Sequence, residues 1–262
     1  MRYVACIEYD GSRFSGWQRQ KDSVRTVQEC LEIALSKLAD EQISIITAGR
    51  TDTGVHATHQ VIHFDSHATR TDFAWCRGTN RFLDKDIRVL WVQPVDEKFH
   101  ARFSALSRSY RFIIHNKPIE SAIYRNYSSH EYRVLDVDKM RKVSECLIGT
   151  HDFSSFRAAG CQAQTPVRSM SKFNLESNGE WVWFDVTANA FLQHMVRNIA
   201  GALIEVGTGK RDLDWIAYLL DVCDRTKGSI TAPPNGLYLT GVMYPEEFVF
   251  PSSNQTVCYW NK

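Results

Sequence analysis

The apolar residues of this chain switch repeatedly between the two-residue period of a strand and the 3.6-residue period of a helix, without a regular strand–helix alternation. Tyr3 to Tyr9 (YVACIEY) reads as a first strand, stopped by the turn pair Asp10-Gly11. Thr26 to Glu29 (TVQE) matches a capping box, and Val27, Leu31, Ala34, Leu35 and Leu38 then form one helical stripe. Strands are predicted at Ile43 to Ala48, His59 to Asp65 and Asp86 to Pro94, with a helix over Phe73 to Arg81. The last of these strands carries Ile87, Val89 and Trp91 on one face.

A similar order then recurs. Ser107 to His115 is a strand, Val137 to Leu147 a helix, and Val167 to Leu175 and Trp181 to Thr187 are strands joined at Ser177-Asn178-Gly179. Leu192, Met195, Val196, Ile199, Leu203 and Val206 make the clearest helical stripe, closed by Gly207. Pro233 to Gly236 is a turn feeding a last strand, Leu237 to Tyr244. Mixed in this way, strands and helices specify an α+β protein with mostly antiparallel sheets flanked by helices, not a doubly wound sheet. The recurrence divides the chain into an N-terminal domain, residues 1–105, and a C-terminal domain, residues 106–262.

Each half is long enough to bury a core. Formal net charge is only +1, so any surface for a polyanion must come from local clustering of basic residues. The seven cysteines are odd in number and lack Cys-x-x-Cys spacing, which argues against a disulfide framework or structural zinc and for a reducing compartment. Glu8 and Asp10 interrupt the N-terminus before a signal core could form, and no apolar run approaches a membrane span. The expected location is the cytoplasm, with no membrane association.

One loop stands out for chemistry. In AGRTDTGVHATHQVIHFD, Ala48 to Asp65, Arg50 and Asp52 lie between two glycines, just before a histidine-rich strand. Residues two apart in an extended loop point the same way, and a guanidinium beside a carboxylate keeps it charged. At about 4 Å and an effective dielectric near 20, the attraction is on the order of 4 kcal/mol before desolvation. Such an aspartate suits nucleophilic or electrostatic work. Gly49 and Gly54 permit a tight turn and close approach of a ligand. Spacing alone equally describes an Asx-type turn with a surface ion pair, and favours that plainer reading. His56, His59, His63 and His67, with Asp52 and Asp65, invite a metal. Only His59, His63 and Asp65 share a strand face, and no helical i, i+4 histidine pair is present, so no metal is expected.

Two further stretches carry charge among aromatics. Lys98 to Phe112 (KFHARFSALSRSYRF) interleaves Lys98, His100, Arg102, Arg108 and Arg111 with Phe99, Phe103, Tyr110 and Phe112. That pattern is a stacking platform for unpaired bases or an edge strand with solvated arginines, and pattern alone leaves both open. In Phe191 to Asn198 (FLQHMVRN), Arg197 flanks the apolar stripe, either as a snorkelling surface residue or as a reach across an interface to a carboxylate.

Taken together, YDGSRFSGWQRQ, AGRTDTGVHATHQVIHF, FHARFSALSRSYRF, FLQHMVRNIAGALIEVG and NGLYLTGV, in this order, resemble the tRNA pseudouridine synthase A family from about Tyr3 to Tyr244. The resemblance implies isomerisation of uridines 38, 39 and 40 in the anticodon stem-loop, without cofactor or metal. It implies a homodimer whose tRNA spans both subunits, with a catalytic cleft between two antiparallel-sheet domains. Asp52 matches the family's catalytic aspartate and Arg50 the arginine that assists base flipping. Tyr110 matches the tyrosine stacked on the target uracil, and is a candidate base for the C5 proton. Arg197 matches the arginine that pairs with the aspartate, and Leu237 a residue lining the uracil pocket. Family RNA contacts carry over to Arg70, to Phe99, His100, Arg102 and Phe103, and to Cys161 and Gln162. Thr53, Asp84, Gln193 and the loop Gly160 to Gln164 depart from the family's pattern.

The reaction implied breaks N1–C1′, turns the uracil and joins C5 to C1′, after which a proton leaves C5. Nothing is oxidised, one ionised carboxylate suffices as nucleophile or base, and water must be kept out. Hydrolysis of a glycoside would ordinarily require a second carboxylate. The competing readings are a non-catalytic RNA-binding protein, a metal-dependent hydrolase using the histidines, and an α+β protein that binds a small ligand.

Overall fold

The structure, a computed structural model, describes residues 1–22 and 24–251. It is α+β, with sheets that are mostly antiparallel. The chain forms two compact units, one made of Met1–Leu106 and the segment that starts at Tyr238, the other of Ser107–Leu237. The chain returns to the first unit at Tyr238, where no sequence signal marks a return.

In the first unit the elements are β1 (Arg2–Tyr9), α1 (Val27–Ala39), β2 (Ile45–Thr47), β3 (His56–Asp65), α2 (Asp72–Phe82) and β4 (Ile87–Val95). β1 is central, antiparallel to both β3 and β4. Val4, Ala5, Cys6 and Ile7 are at most 1% exposed, so the strand is covered on both faces, which is why it reads as a nearly continuous apolar run. On one face Tyr3 and Phe64 pack against Trp75 of α2, with ring centroids 5.1 and 5.2 Å away. On the other, Val4, Ala48, Val61, Phe99, Ala101 and Tyr244 form a cluster that Trp91, Phe248 and Phe250 extend. β4 does not keep one apolar face. Cys6 pairs with Trp91 but Ile7 with Val89, so Leu90 is an extra residue in a bulge. Ile87, Val89 and Val92 are buried and Trp91 is only half-buried, because the bulge turns the strand over after Val89. Half of the expected capping box is present, Thr26 Oγ1 accepting from the Glu29 amide at the start of α1. Arg25 pairs with Asp86 and with Asp84, which gives the departure at position 84 a structural use.

The second unit contains β5 (Ser107–Asn116), β6 (Ser129–Glu131), α3 (Val137–Ser144), β7 (Gly149–Asp152), β8 (Val167–Asn178), β9 (Trp181–Ala188), α4 (Met195–Gly207) and α5 (Trp215–Val222). β5, β9, β8 and β7 are neighbours in that order, all antiparallel, and β6 runs parallel to β5. α4 is the most deeply buried helix. A Cβ on Gly201 would lie 2.1 Å from the Ile230 carbonyl oxygen, so the 229–232 segment crosses the helix where glycine leaves room. Gly207 lies inside α4, against Met140. It is Gly209, at φ +73°, that takes the left-handed position expected of Gly207. Leu192 precedes the helix, separated from it by His194 at φ +62°. α5 escapes the sequence reading because eight mostly apolar residues show no clear period, yet Trp215, Ile216 and Leu219 are buried.

The last strand, β10 (Leu237–Met243), opens after a turn in which the Leu237 amide donates to the Pro234 carbonyl. Its Tyr238 and Leu239 pair in parallel with His56 and Ala57. No helix among the described residues is long and apolar enough to cross a membrane.

Leu203 is 0% exposed in α4, so Leu203→Ala should lower the unfolding free energy by about 2–5 kcal/mol. Urea titration of parent and variant measures this, and a cost near zero would mean that α4 is not packed as described.

Candidate active site

The loop from Ala48 to Val55 is held from three directions. The Ala48 amide donates to the Val61 carbonyl at 2.8 Å, and the Gly49 carbonyl accepts from Gln60 Nε2 at 2.7 Å. The Thr51 carbonyl accepts from the Trp17 amide at 3.0 Å, while Thr51 Oγ1 lies 2.8 Å from the Tyr9 hydroxyl. The Val55 amide returns to the Asp52 carbonyl at 3.2 Å, closing a turn with Gly54 at φ +79°. Gly49 serves through its carbonyl rather than through a left-handed conformation. Asp52 is half-buried and Arg50 is exposed, so the two side chains sit in different surroundings on one loop.

A segment whose supporting part the sequence did not disclose lies against this loop. The motif at Tyr9 to Gln20 contains Gly11 and Gly16, and both are places of close approach. A Cβ on Gly11 would fall 2.0 Å from the Val55 carbonyl oxygen, and one on Gly16, at φ +89°, 3.0 Å from the Thr51 carbonyl oxygen. The segment therefore touches both flanks of Asp52. His56 joins it, as the Gly11 amide donates to Nδ1 at 3.1 Å and Asp10 lies 3.2 Å away. Burial works against ionisation of Asp10, but the adjacent His56 ring and hydrogen bonds from Ser12 outweigh it and hold the carboxyl well below the usual range.

The other histidines of the loop and strand are engaged in structure. His59 Nδ1 is 3.3 Å from Cys6 Sγ, and His63 Nδ1 accepts from the Ala101 amide at 3.0 Å. Asp65 is held by Arg2 at 2.8 Å. Among the described residues, no three His, Cys, Asp or Glu side chains are placed to share a metal ion.

The stretch after Lys98 divides by burial. Phe99 is 0% exposed, in ring contact with Tyr244, Phe248 and Phe250, so its side chain has no surface to offer an RNA. Its neighbours face outward. Phe103 is 75% exposed, stacked on His100 at 4.3 Å, with the Arg102 guanidinium 5.5 Å from its ring. His100 Nδ1 accepts from the Arg102 and Phe103 amides, which fixes the turn. Arg70 is exposed elsewhere on this unit, against the carbonyls of Thr69 and Leu38.

In the second unit the candidates gather around residues 191–197. Tyr110, 8% exposed on β5, meets Phe191 edge-on at 5.0 Å. Arg111, on the opposite face of the strand, is bound by Asp185 at 2.8 Å. The Gln193 amide donates to Cys161 Sγ at 3.4 Å, and Arg157 grips the carbonyls of Cys161 and Ala163 at 2.7 Å each. Burial opposes ionisation of Cys161, but the Ala163 and Gln193 amides and Arg157 together pull its pKa down. Gln162, beside it, is exposed. Arg197 Nε donates to the Ala232 carbonyl at 2.8 Å, and the Ala232 amide returns to the Arg197 carbonyl. Leu237 is 5% exposed. Arg157 was missed because its work is done on backbone carbonyls, which leave no sequence pattern.

Comparison with known proteins gives a consistent result. A family model described as tRNA pseudouridine synthase matches residues 5–104 and 143–245. A tRNA pseudouridine synthase A from Photorhabdus laumondii is 51% identical over 96% of this chain and 95% of its own. One from Legionella pneumophila is 48% identical over the full length of both. A chain in a solved Cbf5-Nop10-Gar1 complex aligns with 92% of this chain and 59% of its own at 11% identity and a TM-score of 0.35, too slight a likeness to support an argument.

The geometry has two measurable outcomes. Gly11→Ala forces backbone apart from backbone and should lower stability by about 1–3 kcal/mol in urea titration; parental stability would show the contact to be looser than described. His63 is pushed down to about 4 from 6.5, by burial and then by Arg2 and His100. A depressed histidine stabilises the fold above pH 6.5, and that contribution is lost as pH falls from 6.5 toward 4. The unfolding free energy should fall less steeply across that range in His63→Gln than in the parent, and equal slopes would exclude this source.

Proposed function

The chain belongs to the tRNA pseudouridine synthase family, and we propose that it converts uridines 38, 39 and 40 of the tRNA anticodon stem-loop to pseudouridine, with Asp52 as the catalytic carboxylate and no cofactor. The enzyme is a uridine-to-pseudouridine isomerase. The observation that carries the finer reading is the loop of Asp52, a half-buried carboxylate on a backbone fixed by Tyr9, Trp17 and Gln60.

The chemistry uses such a group well. Breaking N1–C1′ leaves electron density on the uracil and an electron-poor C1′, and an ionised carboxylate held in place can stabilise or attack that carbon. The uracil turns, C5 bonds to C1′, a proton leaves C5 and N1 gains one. No electrons enter or leave overall. The target base must first leave its stack, at a cost of a few kcal/mol offset by contacts in the pocket. Arg50, exposed at the loop's entry, suits that step. Tyr110 and Leu237, both buried in the second unit, suit contact with the flipped uracil, and Arg197 suits pairing with Asp52. His100, Arg102 and Phe103 offer outward aromatic and cationic surface for RNA, and Arg70, Cys161 and Gln162 complete the proposed contacts. Phe99 supports its neighbours from beneath. The working form is a homodimer in the cytoplasm, each tRNA spanning both subunits.

The test is release of hydrogen from tRNA labelled at uracil C5, with and without EDTA, for the parent and Asp52→Asn. Release should survive EDTA and vanish in Asp52→Asn while tRNA binding persists. A parent that binds tRNA tightly but releases nothing would instead be an RNA-binding protein.

A further inference from the structure

We propose that Tyr9 is a positioning residue for the isomerisation, its hydroxyl fixing Thr51 and through it the backbone from which Asp52 presents its carboxylate. The inference rests on the reading of Asp52 as the catalytic group.

Tyr9 ends β1 and is 3% exposed. Its ring packs on Trp17 at 5.8 Å, which a phenylalanine would also do. The hydroxyl does something a phenylalanine cannot. It lies 2.8 Å from Thr51 Oγ1, with either oxygen able to donate, and Thr51 is itself 8% exposed. A β-branched side chain has few χ1 positions, so anchoring Oγ1 also anchors the Cα that carries it. The Thr51 carbonyl is tied separately, by the Trp17 amide at 3.0 Å. The residue before Asp52 is thus held at its side chain and at the peptide that leads into Asp52. Beyond it, the Asp52 carbonyl is bonded to the Val55 amide.

Tyr9 is aimed at this point by the sheet. Between Ile7 and Tyr9 the pairing of β1 with β3 shifts from Gln60 to Ala57, an irregularity of the bulge type that redirects a side chain at a strand end. The same strand end is paired to Ile87 on its other side. The hydroxyl therefore connects the rigid centre of the first unit to the loop of the reacting group. A displacement of about 1 Å at a reacting group can cost a factor of about a hundred in rate with little change in binding.

The experiment compares Tyr9→Phe, Thr51→Val, Thr51→Ser, the double variant Tyr9→Phe/Thr51→Val and Asp52→Asn in the full chain, measuring kcat and KM for tRNA by C5-hydrogen release and stability by urea titration. Tyr9→Phe should lower kcat by about 10- to 100-fold, with KM changed by no more than about twofold. Thr51→Val should do the same, and the double variant should be no slower than either single one, because both remove one bond. Thr51→Ser keeps a hydroxyl and should recover most of what Thr51→Val loses. Parental kcat in Tyr9→Phe, whatever its stability, overturns the proposal. Should Tyr9→Phe fail to fold, equal kcat in Thr51→Val and Thr51→Ser overturns it instead. An active Asp52→Asn would sink the catalytic reading itself. An inactive Asp52→Asn with a fully active Tyr9→Phe sinks the positioning role alone.

Discussion

The first unit depends on the burial of β1. It is bonded on both edges, to β3 and β4, and covered on both faces, by Trp75 with its neighbours and by the cluster around Phe99. A strand held in this way has almost no freedom, and the chain that leaves it at Tyr9 inherits that rigidity. Tyr9, Gly11 and Gly16 then lie against the Asp52 loop, at distances that leave no room for a methyl group at Gly11 and only a tight fit at Gly16. The order of causes runs from apolar burial, to a fixed strand end, to a fixed loop, to a carboxylate on a defined backbone.

The second unit uses different means toward the same kind of result. Its buried helix α4 is crossed by the 229–232 segment at Gly201, and its N-terminal approach carries Phe191 and Gln193 to Tyr110 and Cys161. Just below, Asn198, 2% exposed, donates to the Phe156 carbonyl and accepts from Thr231 and Arg225. Buried polar groups satisfied in this way fix position more sharply than apolar contact does, because each bond has a direction. Arg197 sits beside that network, with Ala232 bonded to it at both ends.

Much of the fold was legible because most elements are long and periodic. β1, α1, β5, β9 and α4 come directly from their apolar spacing. The parts that were not legible depend on contacts distant in sequence. The bulge at Leu90 arises from pairing with β1, so nothing in β4 itself forecasts that Trp91 would leave the face of Ile87 and Val89 for the cluster around Phe99. The left-handed turn moved from Gly207 to Gly209 because Gly207 is needed against Met140. In the candidate site, the motif around Asp52 was visible, but Gly11 and Gly16 were visible only as letters of a motif. Their purpose is steric, and steric purpose appears only when the other chain segment is in place. Phe99 shows the converse, since an aromatic among arginines looks like a stacking surface until its burial is known.

The return of the chain at Tyr238 has a consequence for how the protein is made. Tyr238 and Leu239 pair with β3, and Tyr244 donates its hydroxyl to the Ala101 carbonyl, so the first unit lacks these parts until that segment has been synthesised. Among the described residues the second unit is one unbroken segment, Ser107–Leu237, and it leaves the ribosome before them. The usual vectorial order, in which the N-terminal unit is finished first, is therefore inverted. Among the described residues, the unit whose sequence begins the chain, and which carries the Asp52 loop, is the last to be completed.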